Sequence, residues 1–121
     1  MTLPHVLLVE DHPEAAEPVQ LLLEETGHRV TVAASVAEAV ERARADAPDV
    51  MLLDLTLPDG DGLRALHTLV AERRAPRVTV ALTGRDDPDT VQRCLDAGCA
   101  AVLGKPVPIR ELLRRMAEWT A

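Results

Sequence analysis

Five short, nearly continuous apolar runs mark the chain: Val6–Val9, Val30–Ala33, Val50–Leu53, Val78–Leu82 and Ala100–Leu103. A strand with one wet face alternates apolar and polar residues, whereas a strand covered on both faces reads as a run. The runs therefore predict five strands of a parallel sheet with both faces covered. Between them, apolar residues recur at helical spacing. Val36, Ala39, Val40 and Ala43 form one stripe, and Leu63, Leu66, Leu69 and Val70 another. Val91, Cys94 and Leu95, then Ile109, Leu112, Leu113 and Met116, form two more.

The punctuation agrees with this alternation. Ser35 with Glu38 reads as a capping box opening the second helix. Gly27 and Gly98 stand where the first and fourth helices should end. Asp87 before Pro88 suits an N-cap followed by a first helical position. Pro18 falls inside the first helical pattern, where it removes a backbone hydrogen bond, so a loose turn or a kink is expected there. Five βα units in 121 residues predict a single α/β domain, residues 1–121. Its doubly wound parallel sheet should have strand order 2-1-3-4-5. In such sheets ligands bind at the carboxyl ends of the strands, near the switch point between the first and third.

Composition narrows the function. With 13 Lys+Arg against 20 Asp+Glu, the formal net charge is −7, which disfavours direct nucleic-acid binding. Trp119 is the only aromatic side chain, so no base-stacking platform can be built. No apolar run has the length of a membrane span, and MTLPHVLLVED does not read as a signal peptide. Cys94 and Cys99 form neither a CxxC motif nor a disulfide framework, and a reducing cytoplasm is expected.

The strand ends carry the candidate chemistry. Glu10 and Asp11 follow the first strand, and Asp54 ends the third. Thr83 follows the fourth, and Lys105-Pro106 the fifth. Three carboxylates at one pocket edge repel unless a cation neutralises them, and Mg²⁺ suits such oxygen ligands. Lys105 and the Thr83 hydroxyl should face the same pocket. The set describes a phosphoryl-accepting site, with Asp54 as nucleophile, Lys105 and metal balancing charge, and Thr83 hydrogen-bonding a phosphoryl oxygen.

With these residues in place, the chain resembles a response-regulator receiver domain of bacterial two-component signalling, over residues about 4 to 119. The resemblance rests on Glu10-Asp11 after VLLV, Asp54 in VMLLDLTLPDGDG, Thr83 in VALTG and Lys105-Pro106 in AGCAAVLGKPV. Pro58 and Gly62 match the loop after Asp54. It implies the flavodoxin-like (βα)5 fold and phosphorylation of Asp54 by a histidine kinase or histidine phosphotransfer protein. It also implies that Glu10, Asp11, Asp54 and the carbonyl of Thr56 hold Mg²⁺, and that the Lys105-Pro106 bond is cis. Such a domain is a phosphoacceptor rather than an enzyme, a monomer or weak dimer that acts on a downstream protein. The chain is either a stand-alone receiver or part of a longer regulator or hybrid histidine kinase.

One departure stands out. Val102 occupies the position, three residues before Lys105, where the family usually has a mobile aromatic ring. Signal transmission is therefore expected through Thr83 and the Gly84–Pro88 loop. A phosphate-independent interaction module on the same fold is the alternative that Val102 favours. A haloacid dehalogenase-type phosphatase is disfavoured, because Thr56 stands where its second Asp would be and the acid pair comes first in the chain. His12 reads as an exposed loop residue rather than a metal ligand or phosphate contact, and His5, His28 and His67 read as surface. Cys94 reads as core. Arg110, Arg114 and Arg115 form either a solvated face or a docking face on the last helix.

Overall fold

The computed structural model describes residues 2–85 and 87–121. Of the Gly84–Pro88 loop, Asp86 lies outside the described residues. The elements run β1 (His5–Val9), α1 (Pro13–Glu25), β2 (Arg29–Ala33), α2 (Val36–Ala45), β3 (Val50–Asp54), β4 (Thr56–Leu57), β5 (Gly60–Asp61), α3 (Leu63–Ala71), β6 (Val78–Thr83), α4 (Pro88–Ala97), β7 (Ala101–Gly104) and α5 (Ile109–Trp119). The main sheet is parallel, in the order β2-β1-β3-β6-β7. Counting only its five strands, this is the expected 2-1-3-4-5. β4 and β5 are a two-residue antiparallel ladder in the loop after β3.

Residue parity explains the unbroken apolar runs. Leu7, Val9, Met51, Leu53 and Ala81 point to one face, where they meet residues of α2, α3 and α4. Val6, Leu8, Leu52, Val80 and Leu82 point to the other, against α1 and α5. Both faces are dry, so neither set can be polar. The helical stripes are wider than the surfaces they bury: Val70, Leu95 and Ile109 are exposed.

Local signals act where the chemistry requires. The Ser35 side chain accepts from the Glu38 amide at 3.0 Å, and Asp87 accepts from the Thr90 amide at 3.2 Å. Glu38 itself lies 3.7 Å from Arg42, an exposed i,i+4 pair. Gly98 adopts φ 109°, and the Cys99 amide reaches back to the Cys94 carbonyl at 3.0 Å. That six-residue closure brings the two buried cysteines together as the apolar pair of a helix C-terminus. α1 is continuous across Pro18, which sits on its exposed side.

Two of the surface assignments need correction. His5 is buried, because β1 is a central strand. Its Nε2 lies 2.7 Å from Thr31 Oγ1 and its Nδ1 3.3 Å from the Ala47 carbonyl, so both ring nitrogens have protein partners. His28 is half-buried, with Nδ1 at 3.1 Å from the Leu23 carbonyl. His67 is exposed, as expected.

Candidate functional site

Strand register builds the site. Val9 pairs with Leu53, so the next residues, Glu10 and Asp54, emerge side by side at the carboxyl edge of the sheet. Thr83 pairs with Gly104, which delivers Lys105 to the same edge. The Glu10 amide donates to the Ala33 carbonyl at 2.9 Å, and the Lys105 amide to the Thr83 carbonyl at 2.8 Å. Both residues are therefore fixed by backbone bonds before their side chains act. The Lys105-Pro106 bond is cis.

The Lys105 ammonium bridges the two buried carboxylates, at 2.5 Å from Glu10 Oε1 and 3.0 Å from Asp54 Oδ2. The other Asp54 oxygen, Oδ1, accepts from the Thr56 amide at 3.1 Å. Asp11 stands beside them with Oδ1 buried and without a hydrogen-bond partner. An orphaned carboxylate oxygen in a cluster of acids is a position that a cation would satisfy. One ligand atom each from Glu10, Asp11, His12 and Asp54 lies within 4.8 Å of all the others.

Electrostatics follow from this crowding. Burial, then the contact with Glu10, raises the Asp54 pKa. Burial also opposes ionisation of Glu10, but bonds from Lys105 and Asp54 outweigh it and hold its pKa low. Burial would discharge Lys105, yet the same two carboxylates keep its pKa raised. One ammonium thus faces two carboxylates, with a third at the rim. The pocket is short of positive charge.

Thr83 reaches the same edge, but its hydroxyl is engaged with its own loop. It accepts from the Arg85 amide at 2.9 Å and donates to the Arg85 carbonyl at 3.0 Å. Thr56 is exposed. Sequence reasoning missed the bracing of the loop after Asp54. Asp59 accepts from the Val36 and Ala37 amides at the start of α2, at 2.8 and 3.1 Å. Asp61 pairs with Arg93 of α4 and accepts from the Leu63 amide at 2.9 Å. The available signal was the pair of acids, Asp59 and Asp61, flanking Gly60 in the loop. Val102 is half-buried and packs against the core formed with α2, α3 and α4. Of the α5 arginines, Arg114 pairs with Glu111 and Arg115 stacks over Trp119, so the group is a partly self-paired surface. An apolar groove of about 490 Å³ runs from Glu10 and Lys105 between α1 and α5. Among the described residues no helix is long and apolar enough to cross a membrane.

Comparison with known proteins agrees with this geometry. The family model for the response regulator receiver domain matches residues 6–117. A probable transcriptional regulatory protein, TcrX of Mycobacterium tuberculosis, is 37% identical over 111 residues, covering 92% of this chain and 47% of its own length. The sensor histidine kinase AruS of Pseudomonas aeruginosa is 39% identical over 117 residues, covering 93% of this chain but 12% of its own. The chain thus spans about half the length, or less, of these curated relatives. The non-phosphorylated HemR receiver domain of Leptospira biflexa superposes with a TM-score of 0.89 at 30% identity, covering 98% of this chain and 94% of that one.

Proposed function

The chain belongs to the response regulator receiver domain family, and from that premise we propose that it is a phosphorylation-dependent switch whose phosphoacceptor is Asp54. The observation that carries the reading is the Lys105 bridge between Glu10 and Asp54, beside the orphaned Asp11 oxygen. A carboxylate oxygen of Asp54 attacks the phosphorus of a partner's phosphohistidine. The new O–P bond forms as the P–N bond breaks, and the electron pair returns to the imidazole. Lys105 stays beside Asp54 and balances charge on the transferring group. Water later cleaves the acyl phosphate.

Glu10, Asp11, Asp54 and the Thr56 carbonyl are the groups that would hold Mg²⁺, which supplies the remaining positive charge. The short supply of cations in the pocket supports that assignment. Thr83 acts after transfer: its hydroxyl exchanges the Arg85 backbone for a phosphoryl oxygen and draws the loop with it. The donor is a histidine kinase or histidine phosphotransfer protein in the cytoplasm. The domain is a phosphoacceptor rather than a turnover enzyme, and its output is a downstream protein. Val102 favours a second reading, a phosphate-independent module, and phosphotransfer to Asp54 separates the two.

Incubation with acetyl phosphate and Mg²⁺ should add one phosphoryl group, and Asp54→Asn should add none. An equal phosphate load on Asp54→Asn overturns the assignment. Lys105→Ala should retain stabilisation by Mg²⁺ but accept phosphate about a hundredfold more slowly, the scale of losing one fixed charge donor. Loss of both properties together would make Lys105 mainly structural.

A further inference from the structure

We propose that His12 is a fourth side-chain donor to the cation in this pocket, and that it shifts the site's preference from Mg²⁺ toward Zn²⁺. The inference rests on the reading that Glu10, Asp11 and Asp54 hold a divalent ion. His12 Nδ1 stands 3.4 Å from Glu10 Oε2 and 3.3 Å from Asp11 Oδ1. With Asp54 included, the four ligand atoms fall within 4.8 Å of one another, so one ion can be shared by all of them after small side-chain adjustments.

Within the described structure the His12 ring has one side-chain hydrogen-bond partner, Glu10 Oε2 at 3.4 Å, which is itself one of the pocket carboxylates. His12 is the N-cap of α1, yet its side chain makes no capping bond. Ser, Thr, Asp or Asn would accept an amide hydrogen there, and an imidazole forgoes that bond. The ring is 61% exposed and fills no core. What it does instead is turn Nδ1 between Glu10 Oε2 and the Asp11 Oδ1 that has no hydrogen-bond partner.

Donor chemistry then sets the selectivity. Carboxylate, carbonyl and water oxygens suit Mg²⁺, whereas a neutral imidazole nitrogen suits Zn²⁺. Adding one nitrogen to an oxygen set strengthens Zn²⁺ binding and gives Mg²⁺ little. Among the described residues the other histidines and the two cysteines, the exposed and isolated His67 apart, are occupied or closed. His5 is buried with both ring nitrogens partnered, and His28 Nδ1 faces the Leu23 carbonyl. Burial, then the neighbouring Cys94, pushes the Cys99 thiol up to about 12, and burial raises Cys94 as well. Neither thiol offers a thiolate at neutral pH.

The test is calorimetric titration of the intact chain with Zn²⁺ and with Mg²⁺, for the parent, His12→Ala, His12→Asn and Asp11→Asn. His12→Asn restores a capping side chain, so its folding is secured. Both His12 variants should bind Zn²⁺ at least about tenfold more weakly and Mg²⁺ within about threefold of the parent. In the parent, Zn²⁺ should move the His12 ring signals in a proton–nitrogen spectrum. Unchanged Zn²⁺ affinity in the His12 variants overturns the proposal, as do ring shifts at His28 or His67 in place of His12. If Mg²⁺ fails to bind the parent, or binds Asp11→Asn equally well, the reading of the pocket as a cation site falls first.

Discussion

At the scale of single residues, space decides more than conformational preference. Gly62 has φ −55°, which any residue adopts, so its backbone freedom is not the reason for glycine. A Cβ there would stand 2.0 Å from the Asp54 carbonyl oxygen and 3.1 Å from Leu55 Cα. Both are backbone atoms and cannot rotate away. Gly62→Ala should therefore destabilise the fold by at least about 1–3 kcal/mol, the scale of forced overpacking. It should also shift the backbone signals of Asp54 and Leu55. A melting midpoint equal to the parent's would show that the loop yields freely. The family resemblance singled out Gly62 in the loop after Asp54, but not the contact that requires it. His5 shows the limit from the other side. A histidine at the start of an apolar run reads as surface, because its partners Thr31 and Ala47 come from distant parts of the chain.

At the scale of elements, the inner strands β1, β3 and β6 were legible because they are dry on both faces, and the half-buried edge strands β2 and β7 because they keep a short apolar run of the same kind. Helix ends were legible where the cap is local, as at Ser35 and Asp87. They were illegible where the cap is remote. The first amides of α2 are satisfied by Asp59, more than twenty residues later. Those two amides, in that order, lower the Asp59 pKa. A depressed carboxylate stabilises the fold above its unfolded pKa, and that stabilisation is lost as the pH falls through the lower, folded value. Asp59→Ala should thus melt below the parent at pH 7. The gap should close as the pH falls below about 4, where the parent's carboxylate takes up its proton. A gap that is constant down to pH 2 would mean that Asp59 acts through packing and not through its charge. Arg77 is a second remote cap: it donates to the Trp119 and Ala121 carbonyls at the end of α5, at 2.8 and 3.1 Å.

At the scale of the whole molecule, the candidate site was the most legible part, since topology alone carries the strand ends to one edge. What topology cannot supply is orientation, such as the Thr83 hydroxyl bound to Arg85 or the His12 Nδ1 facing Glu10 and Asp11. The half-buried Val102 belongs to this scale. A β-branched side chain is stiff and small, so its rearrangement exposes little surface. Phosphate mimicry by beryllium fluoride should therefore leave the chain monomeric by light scattering, with small chemical-shift changes over α4, β7 and α5. A clean monomer-to-dimer transition with large shifts there would show that Val102 does not limit coupling. The braced loop suggests where motion goes instead. Asp59 fastens it to α2 and Asp61 fastens it to α4, and both helices lie on the same side of the sheet. In mechanical terms the loop is a tie between two beams of one floor. Among the described residues the floor of α1 and α5 has no such tie to it, so a pull at Asp54 is shared by one storey of the building and felt by the other through the sheet between them.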